Sequence, residues 1–148
     1  MPMEVTAAAV DLGFAAFVER NTPRYLRYAR AHLPAEDASA AAVTATLASA
    51  RNSWGLILSR PCPAAEVWQE LRLRVGRQAG GNGPRDPALA VLYGQLPDGS
   101  ADSVVLCCRL GFDVSEAAEL MGVETPAVEA ALAIARRALP EFVEGGHP

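Results

Sequence analysis

The sequence predicts an all-α protein built from two small helical domains. Over residues 11–75 apolar residues recur three and four positions apart, and almost no stretch alternates in the manner of a β-strand. Residues 76–87, GRQAGGNGPRDP, hold four Gly and two Pro without apolar periodicity, which is typical of a flexible connection. We therefore expect a helical domain over residues 1–75, a linker over 76–87 and a second helical domain over 88–148.

The first domain is predicted to begin with two helices. The first covers about residues 11–20, and either Asn21 or Thr22 then caps the second helix. Pro23 falls in the first turn of that second helix, where its missing N–H costs nothing, and Pro34 ends it.

Two more helices complete this domain in the prediction. Asp37 is the expected N-cap of a third helix that ends near Trp54, and Gly55 with the following RPCP segment interrupts the pattern. A fourth helix follows over about residues 64–78. Trp54 and Trp68 have helical spacing and Leu neighbours, so we expect them to anchor the core rather than to stack on nucleotide bases.

The second domain is predicted to contain four helices, over about residues 88–95, 100–110, 115–121 and 125–139. Ser100 or Asp102 is the expected cap of the second of these helices, and Gly111 is expected to end it. The last two helices flank a turn at Gly122 in the segment SEAAELMGVETPAVEAALAIARRAL. Their apolar spacing is typical of a helix-turn-helix unit, whose second helix enters the DNA major groove.

Two stretches of the chain resemble the sigma-70 family of transcription initiation factors, of the small extracytoplasmic-function type. They are FAAFVERNTPRYLRYARAHL and LPDGSADSVVLCCRLGFDVSEAAELMGVETPAVEAALAIARRAL. The resemblance implies a region-2-like helical bundle, a flexible linker and a region-4-like helix-turn-helix domain. It also implies contacts with RNA polymerase and promoter DNA, and no cofactor.

The chain departs from the family pattern in the helix that aligns with the polymerase clamp-contact helix. The family usually reads A-E-D-L-V-Q-E-T-F-L-R-A-W there, and this chain reads ASAAAVTATLASARNSW. Ala40 and Ala41 stand for the acidic pair, and Thr44 and Ala45 for the Gln-Glu pair. A surface that pairs charges in the family is therefore small and nearly neutral here.

A second departure falls on the helix that aligns with the DNA recognition helix. The family typically reads T-V-K-S-R-L-H-R-A-R-R-A-L, whereas this chain places Glu129 at the Lys position and Ala131 and Ile134 at Arg positions. The altered face comprises Glu124, Thr125, Glu129, Ala130, Ala133, Ile134, Arg136 and Arg137.

This altered helix predicts weakened or lost DNA binding. Base readout needs hydrogen-bonding side chains on the recognition helix, and Ala offers none. Residues 115–139 hold four Glu against two Arg, so repulsion from phosphate adds to the missing attraction. Arg136 and Arg137 either contact phosphate or complement the helix dipole.

Four arginines recur at helical spacing near the N-terminus, at Arg20, Arg24, Arg27 and Arg30. They line one face of a helix, which could meet a phosphate backbone or an acidic protein, or could simply be solvated. The formal net charge of -4 argues against binding nucleic acid by bulk charge.

The composition excludes most kinds of catalytic and metal site. Cys62, Cys107 and Cys108 form no CxxC, and the chain has only two histidines, so we expect no disulfide framework, no metal and no cofactor. The apolar stretches are too short and too Ala-rich to span a membrane, and the acidic start MPMEV does not resemble a signal peptide. We therefore expect a cytoplasmic protein without enzymatic activity.

Three hypotheses for function follow from these observations. The first is a sigma-like regulator that acts through protein contacts with an anti-sigma factor, RNA polymerase or itself, with promoter DNA binding weak or absent. The second is a functional extracytoplasmic-function sigma factor in which the polymerase supplies most of the DNA affinity. The third is an enzyme with a small-molecule pocket between the domains and a reactive Cys107 or Cys108.

Overall fold

The computed structural model describes residues 2–33, 35–79 and 86–144, which fold entirely into helices and turns. The predicted all-α class is confirmed. The helices are α1 (Pro2–His32), α2 (Glu36–Asn52), α3 (Trp54–Leu58), α4 (Pro63–Ala79), α5 (Pro87–Gln95), α6 (Asp98–Val104), α7 (Val114–Met121), α8 (Thr125–Ala138) and α9 (Pro140–Glu144). Pro34 and residues 80–85 of the expected linker lie outside the described residues.

Helix α1 is continuous, so the prediction of two helices meeting at Pro23 is wrong. The two expected capping residues bond to the preceding turn instead. Asn21 Nδ2 donates to the Phe17 carbonyl at 3.0 Å, and Thr22 Oγ1 donates to the Val18 carbonyl at 2.6 Å. Aromatic side chains on both sides of Pro23 pack into the same core, and this packing outweighs the cost of proline in a helix.

The third and fourth helices of the prediction are observed as α2 and α4, with small shifts in their bounds. The prediction that Asp37 is the N-cap of this helix is wrong, because α2 begins at Glu36 and Ala35 occupies its N-cap without a side-chain hydrogen bond. Gly55 does not interrupt the helical structure, because it lies inside the short helix α3, residues 54–58. Helix α4 continues to Ala79, so it contains the first four residues of the expected linker.

Ser100 and Asp102 do not cap a helix, and that prediction is also wrong. Helix α6 begins at Asp98 after Pro97, so both residues lie inside it and are buried. The helix continues into a π-helical turn, Val105–Arg109, and the chain then reverses at Gly111 with a φ of 78°. The left-handed conformation at Gly111 is the expected helix stop.

The predicted helix-turn-helix segment forms helices α7 and α8. Asp113 caps α7 in a reciprocal capping box with Glu116, and Gly122 ends it in the left-handed region with a φ of 72°. Helix α8 has Pro126 in its first turn. The sequence did not predict α9, which packs against the end of α8.

The buried residues of the two halves form one hydrophobic core. Helices α1, α2 and α4 enclose the aromatic part around Tyr25, Tyr28 and Trp68, and α6, α7 and α8 enclose an aliphatic part. Helix α4 contacts α7, which joins the two parts. The domain boundaries expected from the sequence remain a prediction.

Within the described residues, none of the helices combines the length and the apolar character needed to cross a lipid bilayer.

Candidate functional site

The turn between α7 and α8 lies directly against the start of α4. A Cβ atom built on Gly122 would fall 2.3 Å from the backbone nitrogen of Ala65. The Cys62 thiol donates to the Gly122 carbonyl at 3.3 Å. The turn between α7 and α8 is therefore held against the N-terminal half.

Three of the four arginines on the predicted basic face contact the C-terminal half of the same chain. Arg20 and Arg24 both donate to the Glu119 carboxylate on α7, at 2.7 Å and 3.1 Å for the Nη atoms. Arg24 also lies 3.5 Å from Glu116. The Arg20 guanidinium holds the pKa of Glu119 below its usual range.

The other two arginines of this face have different partners. Arg27 donates to the Leu110 carbonyl and lies over the Phe112 ring, 4.4 Å from its centroid. Arg30 instead pairs with Glu36 at 2.7 Å, beside the start of α2. Arg20, Arg24 and Arg27 are thus engaged between the halves.

A buried carboxylate, Asp102 on α6, contacts polar groups from three other helices, α1, α4 and α5. Tyr28 Oη donates to it at 2.8 Å, Trp68 Nε1 donates at 3.3 Å, and Tyr93 Oη also donates. Arg72 Nε lies 2.7 Å away as an ion pair, and the same guanidinium reaches Asp98 at 3.3 Å. We call Tyr28, Trp68, Arg72, Tyr93 and Asp102 the Asp102 cluster.

Sequence reasoning missed the Asp102 cluster because it treated Asp102 as an N-cap. The available signal was that Asp102 stands two residues before the apolar run VVL, at a position where the helix faces the core. Asp102 is 1% exposed, and its hydrogen-bond partners Tyr28 and Trp68 lie in the N-terminal half of the same chain. The cluster therefore joins the halves and does not present a reactive group to solvent.

His32 lies at the edge of the Asp102 cluster. Its ring contacts Tyr28 and Tyr93, with centroids 4.5 Å and 5.2 Å away. Burial, together with the nearby Arg72 charge, lowers the pKa of His32 to about 4. The imidazole is therefore neutral at pH 7.

The predicted recognition helix presents an apolar face to solvent. Val123 and Ile134 are 43% and 45% exposed, and Ala127 and Ala130 between them are also exposed. Among the other residues of the predicted face, Thr125 and Ala133 are half-buried, and the exposed charged residues are Glu124, Glu129, Arg136 and Arg137. Within the described part of the chain these four charged side chains form no ion pair with one another or with other residues.

An open groove of about 370 Å³ runs along this face, between α8 and the start of α6. Its apolar side is lined by residues from the end of α7, the following turn and α8, namely Met121, Val123, Ala127, Val128, Ala131 and Ile134. Ser100 and Ser103 are its polar lining residues, and the Ser103 hydroxyl already donates to the Gly99 carbonyl. The groove therefore suits an apolar occupant.

The residues that the resemblance aligns with the family's clamp-contact positions lie on α2. Ala40, Ala41 and Thr44 are exposed, and Ala45 is half-buried. They form a small, uncharged surface on the N-terminal half.

The two adjacent cysteines are poor nucleophiles in this structure. Cys107 and Cys108 are half-buried in the π-helical turn, and burial raises the pKa of Cys107 to about 11 and that of Cys108 above its usual value. Both thiols are therefore protonated at neutral pH. Among residues 2–33, 35–79 and 86–144, no three His, Cys, Asp or Glu side chains are grouped so as to hold a metal ion.

No protein-family model, curated protein or solved structure matches the chain.

Proposed function

We propose that the protein is a sigma-factor-like transcription regulator that acts through protein contacts, with weakened or lost binding to promoter DNA. The observation that carries the proposal is the exposed face of α8. Ile134 is 45% exposed beside Ala127 and Ala130, at positions where a groove-reading helix needs hydrogen-bonding or basic side chains.

The charges around this face also disfavour DNA. Glu124 and Glu129 are exposed near the beginning of α8, where a recognition helix usually approaches the bases. A carboxylate facing the groove loses its hydration and is repelled by the phosphates. Each good base contact that is missing lowers the discrimination against a wrong base by about 1–3 kcal/mol.

The N-terminal arginines do not compensate for this loss. Arg20, Arg24 and Arg27 are bound to groups of the C-terminal half, so meeting phosphate would require them to give up those contacts. The apolar groove beside α8 offers a protein partner the surface that DNA lacks. The candidate partners are an anti-sigma factor, RNA polymerase and the chain itself.

One observation favours the alternative of a functional sigma factor. Arg136 and Arg137 are exposed at the end of α8 and form no ion pair within the described residues. Two phosphate contacts could suffice if core polymerase supplied most of the affinity.

Run-off transcription with core RNA polymerase separates the two candidates. The proposal expects no promoter-specific transcript, whereas a specific transcript that is lost in Arg136→Ala/Arg137→Ala would establish the alternative. Fluorescence anisotropy with duplex DNA at low salt should show only weak binding that does not depend on sequence.

A gain-of-charge variant tests whether the exposed face of α8 is the face that would enter a DNA groove. Glu129→Lys/Ile134→Arg should bind DNA with a salt dependence steeper by about 2 on a log–log plot, because each new phosphate contact releases about 0.9 counterion. The matched control, Glu66→Lys/Leu73→Arg, makes the same two changes at exposed positions of α4. Equal gains in both variants would contradict a groove-facing α8.

A further inference from the structure

The exposed residues of α8 and the preceding turn have the spacing of a helix–helix seam. Val123, Ala127, Ala130, Ile134 and Arg137 follow one another at intervals of four, three, four and three residues, and all five are exposed. This alternation places side chains in one stripe, as in paired helices. We call these five residues the α8 stripe.

The α8 stripe is continuous with the groove between α8 and the start of α6. Val123, Ala127 and Ile134 belong both to the stripe and to the lining of the groove. An occupant that contacts the stripe therefore also covers the groove. The small side chains at Ala127 and Ala130 allow the backbone of another helix to approach closely.

The charges at the two ends of the stripe have opposite signs. Glu124 lies at the beginning of α8 and Arg137 near its end, both exposed, and neither forms an ion pair within the described residues. A helix of the same sequence placed parallel would bring Glu124 beside Glu124. The same helix placed antiparallel brings each Glu124 beside an Arg137, which gives two complementary pairs.

We propose that the α8 stripe is a self-association surface, on which a second copy of this chain places its own α8 antiparallel about a two-fold axis near Ala130. This inference rests on the proposed function and names the partner. The two-fold axis sets Ile134 of each copy against Ala127 of the other, so a large side chain meets a small one. It also aligns the two helix dipoles in opposite directions.

A charge-exchange cycle tests the antiparallel pairing. Sedimentation equilibrium should show a reversible dimer for the wild type, and Glu124→Arg or Arg137→Glu should each weaken it about tenfold or more, because each change creates two like-charge contacts. Combining both changes should restore the dimer to within about threefold of the wild type. The control, Glu66→Arg, makes the same change of charge at an exposed position of α4, outside the stripe, and should leave dimerisation unchanged.

A cysteine cross-link tests the position of the axis. Ala130→Cys should form a disulfide-linked dimer under mild oxidation, because residue 130 of each copy faces its counterpart across the axis. Glu129→Cys, one residue away and off the stripe, should not. The wild type, with its half-buried Cys62, Cys107 and Cys108, gives the baseline.

The outcomes separate this inference from the proposed function. A wild type that stays monomeric at all concentrations, or a double charge variant that fails to recover, overturns self-association. If that monomer binds an anti-sigma factor or core polymerase and Ile134→Arg abolishes the binding, the proposed function survives alone. A dimer that directs promoter-specific transcription would instead overturn the proposed function while leaving self-association in place. Circular dichroism of each variant confirms that it is folded.

Discussion

Gly122 is a residue whose backbone and surroundings both exclude a side chain. Its φ of 72° lies in the left-handed region, and a Cβ atom there would lie 2.3 Å from the Ala65 nitrogen. Because that neighbour is backbone, relief requires α4 and the α7–α8 turn to separate. The residue thus fixes how closely the two halves approach.

Gly122→Ala should lower the free energy of unfolding by about 3 kcal/mol or more, because left-handed strain adds to the overpacking. Gly111→Ala is the matched control, since Gly111 has a φ of 78° and a Cβ atom added to it would meet no atom within 4 Å. It should cost only about 1 kcal/mol. Urea denaturation measures both, and equal losses would contradict the close contact with Ala65.

His32 should make stability depend on pH below neutrality. Its pKa of about 4 in the folded chain is below the ordinary value of 6.5, so the unfolded chain binds more protons between these values. Stability is therefore retained above about pH 6.5 and lost as the pH falls towards 4. The contribution lost between pH 7 and pH 5 is on the order of 2 kcal/mol.

The variant His32→Phe keeps an aromatic ring between Tyr28 and Tyr93 but removes the titration. Its urea denaturation midpoint should fall less than that of the wild type between pH 7 and pH 5. Parallel pH profiles for the two proteins would show that His32 does not carry this dependence.

At the scale of the element, α1 contains a proline that is not required for the helix to form. Pro23 is exposed and lies inside the helix, where it removes one backbone hydrogen bond. Asn21 and Thr22 already bond to carbonyls of the preceding turn. The continuity of α1 therefore comes from the packing of its aromatic residues.

Pro23→Ala should stabilise the protein by about 1–3 kcal/mol, since Ala restores the missing donor and the helix propensity. The measurement is the thermal unfolding midpoint. If a helix began at Pro23 instead, the same substitution would remove a favourable first-turn residue and would leave stability unchanged or lower.

The elements differ in how far their sequences predict them. Helices α4, α7 and α8 match within about two residues, because periodic apolar positions and left-handed glycines act locally. Residues 21–23 have the local signature of a helix start, yet Phe17 and Tyr25, on either side, pack against Trp54 and Trp68 of the same core. Tertiary contacts of that kind cannot be read from local preference.

The candidate site also has features that the sequence predicts and features that it does not. The apolar character of the α8 face follows from Ala130 and Ile134 in the sequence. The partners of Arg24 and Asp102 do not follow from the sequence. Glu119 is distant from Arg24 in the chain, as Tyr28 is from Asp102, and only packing brings each pair together. An Asp at the beginning of a helix and an Asp buried inside it also leave similar local patterns.

At the scale of the whole molecule, the Asp102 cluster and the shared core predict a single unfolding transition. Calorimetry of the wild type should give one peak with similar calorimetric and van't Hoff enthalpies. Asp102→Asn should move the entire peak to lower temperature, with a loss of about 2–4 kcal/mol, because Arg72 loses its buried partner. Two separate peaks in either protein would show that the halves unfold independently.

Asp98→Asn is the matched control for this change. Asp98 pairs with the same Arg72, but its side chain is 68% exposed. Its loss should cost less than about 1 kcal/mol. A loss as large as that in Asp102→Asn would argue against burial as the reason.

The Asp102 cluster also bears on how the chain reaches its fold during synthesis. Tyr28, Trp68 and Arg72 leave the ribosome before Asp102, which is the acceptor that all three use. Until then, the growing chain has three polar groups in a core that lacks their counterpart, and burying them is costly. The N-terminal half therefore completes its packing only after α6 has been translated, so a pause in translation before α6 would prolong an incompletely packed nascent chain.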